Sequence, residues 1–173
     1  MATLLKKFRN RQAGQALVEF TFIAFMMVAL LFGLIDFGRA VYERQILTNL
    51  TREGANLASR ATDFTNTINA VMLAAAPLQL NTKGRVIITS VIRTNNANRI
   101  LAQMARGSLT AATSRIGTTV GGTATLPTTT IALPRPNQTV YVAEVYYTYT
   151  PITPIGRLLG LTLPTRIYDA AYF

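Results

Sequence analysis

The sequence predicts an α+β fold in which a long N-terminal transmembrane helix packs on a small antiparallel β-sheet. Three stretches carry that expectation. Residues 20–35 form an uncharged apolar run of 16, and the 21 residues from Gln15 to Ile35 are interrupted only by Glu19. Residues 85–93, R-V-I-I-T-S-V-I-R, are β-branched and apolar on nearly both faces, which fits a central strand with one face on the long helix. Residues 140–150, V-Y-V-A-E-V-Y-Y-T-Y-T, alternate as a strand does: Tyr141, Ala143, Val145, Tyr147 and Tyr149 share one face, and Val142, Glu144, Tyr146 and Thr148 the other.

The first stretch is long enough, at about 1.5 Å per residue or roughly 30 Å in all, to cross a bilayer core. Ahead of it stand Lys6, Lys7, Arg9 and Arg11 with no acid, which places the N-terminus in the cytoplasm and the remainder outside. A secretory signal would show a shorter apolar core followed by a small-x-small cleavage site. A lipoprotein anchor would need a cysteine, and Asn10 splits the arginines that a twin-Arg signal would pair. Within the run, Glu19 calls for a physical account, because a carboxylate at the bilayer centre costs on the order of 2–3 kcal/mol. Two accounts are open: the side chain reaches the basic interface, or it meets a cationic partner.

Gly14, Gln15, Glu19 and Phe20 resemble the processing motif of type IV prepilins, and specifically the TadE-like proteins of tight-adherence (Tad, Flp) systems. Such precursors carry a short basic leader ending in Gly, a new N-terminus and, four positions after it, a Glu directly followed by an aromatic residue. Ile35, Asp36, Gly38 and Arg39 resemble the family's closing I-D-x-G-R stretch, and residues 54–60 its small-residue segment. The resemblance implies a type IV pilin-like fold and a minor pilin or pseudopilin. Its implied partners are a prepilin peptidase, other pilin subunits, the Tad assembly machinery and the inner membrane, and it ends on a cell-surface pilus. It also implies that Glu19 of one subunit meets the new amine at Gln15 of its neighbour, an assembly contact. Asp36 and Arg39 mark the membrane–water boundary, an intersubunit contact being their other reading. The alternative class is a single-pass membrane-anchored protein whose external domain binds a partner and enters no filament.

On this reading residues 1–14 are leader, 15–36 the membrane segment, 37–62 the external half of the helix, and 63–173 an α+β domain. Charges at helical offsets (Asp36, Arg39, Glu43) and the apolar positions Ile46, Leu50, Leu57, Ala61 and Phe64 continue the helix, with Glu53 and Gly54 interrupting the stripe. Gly33, Gly38 and Gly54 are read as close-packing positions more than hinges. Thr62 and Asp63 predict an N-cap, residues 65–76 a second helix stopped by Pro77, and residues 78–84 a turn. Residues 100–105 predict a helical turn. The stretch 107–137, rich in Thr, Ala, Gly and Pro, predicts loop with a brief β segment at 128–133. Residues 155–163 predict a short apolar connection and 165–173 a last strand anchored by Tyr168, Tyr172 and Phe173.

Composition bounds the chemistry. With no Cys and no His, disulfides and catalysis based on either residue are excluded, and no metal site or cofactor is expected. The seven acids offer no paired-carboxylate site, so no enzyme and no catalytic residue is expected. The formal charge of +10 includes four leader cations; their removal leaves 13 basic against 7 acidic side chains, a formal +6. The remaining arginines are scattered with no aromatic interleaving, so a solvated basic surface is favoured over a nucleic-acid groove. The Gly-rich residues 117–123 lack the Lys of a phosphate-cradling loop.

Overall fold

The computed structural model describes residues 2–60, 63–94, 97–127, 134–154 and 165–173, with side chains from residue 14 onward. These fall into two compact units, one formed by Met1–Arg39 with Pro151–Leu163, the other by Ala40–Thr150 with Pro164–Phe173. Helix α1 runs Ala2–Arg60. No Pro precedes residue 77, so nothing in the sequence removes a backbone donor along it. Helix α2 (Phe64–Ala74) opens on Asp63, whose carboxylate accepts the Thr65 N–H at 2.9 Å, as expected of an N-cap. Pro77 then sits in a 3₁₀ turn (Ala76–Leu78), and a left-handed Gln79 leads into α3 (Leu80–Lys83), where the sequence predicts only a turn.

Four antiparallel strands follow: β1 (Gly84–Thr94), β2 (Ala97–Gly107), β3 (Thr139–Thr148) and β4 (Arg166–Tyr172), in the spatial order β2-β1-β3-β4. The α+β class, the central place of β1 and the last strand are as the sequence predicts. Strand β2 corrects the expected helical turn at 100–105. Its residues, A-N-R-I-L-A-Q-M-A-R-G, are helix formers by local preference, but hairpin pairing with β1 overrides them. Ser90 stands opposite Ala102 and Val91 opposite Ile100, so a bulge leaves Leu101 out of the ladder and over half exposed. The expected β segment at 128–133 and the connection at 155–163 lie outside the described residues. Gly107 closes β2 with φ +130°, where an added Cβ would run into the Gly84 carbonyl.

One face of the sheet packs on helix. The buried stripe of α1 is Leu47, Leu50, Thr51, Gly54, Ala55 and Ala58, at the 3.6-residue period. It is rotated from the stripe of larger residues expected from sequence, and Gly54 lies within it instead of interrupting it. A Cβ at Gly54 would come within 3.0 Å of Val71, 3.3 Å of Ala143 and 3.7 Å of Ile88, so the missing side chain sets how closely α1 approaches α2, β3 and β1. Within the chain, Gly33 and Gly38 have no neighbour within 4 Å of where a side chain would start. Thr51 ties the same face to β4 through its hydroxyl, 2.6 Å from the Asp169 carboxylate.

The other face is covered by the loop after β2, where sequence composition indicates only a surface connection. Ile116, Ala124 and Leu126 pack on Val91, Ile100, Val140 and Val142, while Ala112 packs with Ile87 and Tyr146. At its centre Glu144 of β3 is fully buried. Its carboxylate accepts hydrogen bonds from the Ser114 hydroxyl, from the Arg115 N–H at 2.9 Å and from the Tyr168 hydroxyl at 3.0 Å. Tyr146 donates to the Thr113 carbonyl at 2.7 Å, and the Arg115 guanidinium lies 3.9 Å from the centre of the Tyr168 ring. Tyr168 anchors β4 as expected, while Phe173 is exposed and exchanges backbone hydrogen bonds with Tyr141.

Two outcomes follow from this packing. Gly54→Leu forces a side chain into a filled contact and lowers the stability of the full chain in detergent by about 1–3 kcal/mol in chemical unfolding. Burial, and then the charge of Glu144, push the Tyr168 phenol well above the usual tyrosine range; Tyr146 and Tyr172 are raised for the same reasons. The folded chain thus holds these phenols neutral where the unfolded chain ionises. Their contribution to stability is complete below about pH 10 and is lost as pH rises above it. Unfolding free energy measured against pH falls above about pH 10, and Tyr168→Phe makes that fall shallower.

Candidate functional site

The residues singled out from sequence lie along α1 in two groups. Gly14 has no neighbour within 4 Å of where a side chain would start, so its backbone is open to approach. One position on, the Gln15 side-chain amide donates to the Glu19 carboxylate at 3.0 Å, the (i, i+4) contact that a helix places on one face. Around them Leu17, Val18, Phe20, Phe22, Ile23 and Phe25 are exposed, Phe20 at 72%. Thr21 fits this apolar surface because its hydroxyl donates to the Leu17 carbonyl at 2.8 Å and needs no outside partner.

The second group is Asp36 and Arg39, seventeen residues and about 25 Å of helix rise beyond Glu19. Helical geometry keeps the two groups apart within one chain. Asp36 is 2% exposed, unlike its neighbours Ile35 and Phe37. One carboxylate oxygen, Oδ1, accepts the N–H of Ile152 at 3.0 Å and of Thr153 at 3.3 Å; the other, Oδ2, accepts the Thr153 hydroxyl at 2.5 Å. Arg39, one turn on and half-buried, adds a favourable charge interaction with this carboxylate. Sequence reasoning finds Asp36 but misses Thr153. Its only local signal is a hydroxyl between Pro151 and Pro154, over a hundred residues away.

Between the two groups the helix presents apolar side chains to the outside. Residues Gly14–Arg60 contain an 18-residue window with mean hydropathy 2.4, none of it buried, long and apolar enough to cross a membrane. One N-terminal helix of this kind is consistent with membrane anchoring. A polar pair thus stands at one end of an apolar surface and a fully hydrogen-bonded acid at the other.

Comparison with known proteins agrees with this reading of the helix. The family model described as TadE-like protein matches residues 14–56, from Gly14 to just beyond Gly54. No curated protein and no solved structure gives a match. The sheet lies outside the matched stretch. Over residues 14–56 this chain is similar to TadE-like proteins, which is consistent with a protein associated with the Tad pilus.

Proposed function

We propose that the chain is a minor pilin or pseudopilin precursor. A prepilin peptidase cuts it after Gly14, and the mature protein, anchored in the inner membrane, enters or initiates a tight-adherence pilus. The N-terminus faces the cytoplasm and the sheet domain lies outside. The observation that carries this reading is Glu19, a carboxylate on an exposed apolar helix surface, one turn from Gln15. Cutting after Gly14 removes Lys6, Lys7, Arg9 and Arg11 and creates an α-amino cation at Gln15.

That cation and Glu19 are both too polar for lipid. When helices stack, the carboxylate of one copy and the amine of the next neutralise each other. A buried charge left without its partner costs about 3–5 kcal/mol, so the paired filament is favoured over the lone helix. The sizeable domain after the helix points to a minor subunit, because the major pilins of the resembled systems are much shorter.

Mass spectrometry of protein from the native host tests the cut directly: the mature chain begins at Gln15, and an intact Met1 or Ala2 supports a plain membrane anchor instead. Gly14→Phe blocks processing, which a gel shift of the leader reads. Cleavage at the wild-type rate would rule out the assigned site. Glu19→Ala still inserts in the membrane but is depleted at least tenfold from sheared pili in immunoblots, and normal incorporation of this variant would remove the charge-pairing mechanism.

A further inference from the structure

The buried acid at the far end of the apolar surface has a use beyond chain packing. Residues 151–154 read Pro-Ile-Thr-Pro, and the two prolines carry no N–H. The two backbone donors that the segment does possess, on Ile152 and Thr153, both go to Asp36, as does the Thr153 hydroxyl. The stretch, non-helical over residues 151–153, therefore presents no unsatisfied N–H. At lipid depth an irregular backbone with free donors is strongly disfavoured, and this one has none. Conversely, the carboxylate that would be costly in lipid is covered on both oxygens. Exposed apolar side chains flank this contact: Ile152 is 58% exposed, and on the helix Leu34 and Phe37, near Asp36 in the chain, are 63% and 60% exposed.

We propose that residues 151–154 are a membrane-interface hook, seated at the lipid boundary and held on the helix by Asp36. The apolar surface in contact with lipid then runs past Asp36 instead of stopping there. Its occupant is lipid, because Ile152 is exposed, apolar and bonded to Asp36, which closes the unburied apolar stretch of the helix that starts at Leu17. Asp36 serves as a positioning residue that lets a non-helical segment lie where water is scarce. The inference rests on the membrane-spanning reading of the helix.

The absence of native cysteine permits single-site labelling of the full chain. Ile152→Cys, Leu30→Cys and Val120→Cys, each exposed in the wild type, carry an environment-sensitive fluorophore. The protein is reconstituted in phosphatidylethanolamine–phosphatidylglycerol vesicles, dilute enough that most vesicles hold one chain. The Ile152 probe is expected to emit blue-shifted from the Val120 probe, to be quenched by nitroxide-labelled lipid, and to be several-fold less sensitive to iodide. Adding Asp36→Ala returns it to iodide-sensitive emission.

If the Leu30 probe is in lipid but the Ile152 probe behaves like Val120, the hook is overturned and the membrane reading stands. If all three are iodide-sensitive, both fail. An Ile152 probe protected only in crowded vesicles assigns the surface to a second copy and overturns lipid as occupant. Protection that survives Asp36→Ala overturns the role of the carboxylate.

Discussion

The dominant constraint on this chain is that one stretch of its longest helix is left uncovered among the described residues. Between Leu17 and Phe37, fourteen large apolar side chains are exposed. At roughly 1.5–3 kcal/mol for each such side chain brought out of water, their combined drive exceeds the 5–15 kcal/mol that ordinarily holds a whole domain folded. A lipid core or neighbouring helices must supply what the chain does not. The same constraint accounts for the treatment of polar groups along that stretch. Thr21 bonds back to its own helix, Glu19 takes the Gln15 amide, and Asp36 is capped by the 151–153 segment. Each of these polar groups thereby has a partner within the chain.

The sheet unit meets a different requirement. It has neither disulfide nor cysteine, so packing on both faces has to hold it. Helix residues small enough for close approach, centred on Gly54, cover one face. The loop after β2 covers the other, around a carboxylate that would be costly if bare and is instead bonded to three donors. Glu144 thereby converts a Thr- and Gly-rich connection into a second layer of core.

What was legible in the sequence follows the same physics. The α1, β1, β3 and β4 elements were readable because each carries a strong local pattern: an apolar run without Pro, β-branched residues, or alternation. The Asp63 cap was readable from its residue type and place. The β2 strand was not, because Leu101, Gln103, Met104 and Ala105 locally prefer helix and only pairing with β1 makes them a strand. The largest side chains of the helix suggest one stripe, whereas contact with the sheet selects the smallest. Of the candidate site, the sequence motif located Gly14, Gln15, Glu19, Asp36 and Arg39. The partners of Asp36 at Ile152 and Thr153 follow no spacing rule, because they are brought in by tertiary folding across more than a hundred residues.

The Glu144 clasp imposes an order on events. Ser114 and Arg115 precede in the chain both strands that hold them, since the carboxylate belongs to β3 and the stacked phenol to β4. As the polypeptide emerges, the β1–β2 hairpin closes over a short separation, but the loop behind it finds no carboxylate until β3 arrives and no ring for the Arg115 guanidinium until β4 pairs. Docking of that loop is therefore a late step in maturation, and the apolar face beneath it remains open to other chains until then.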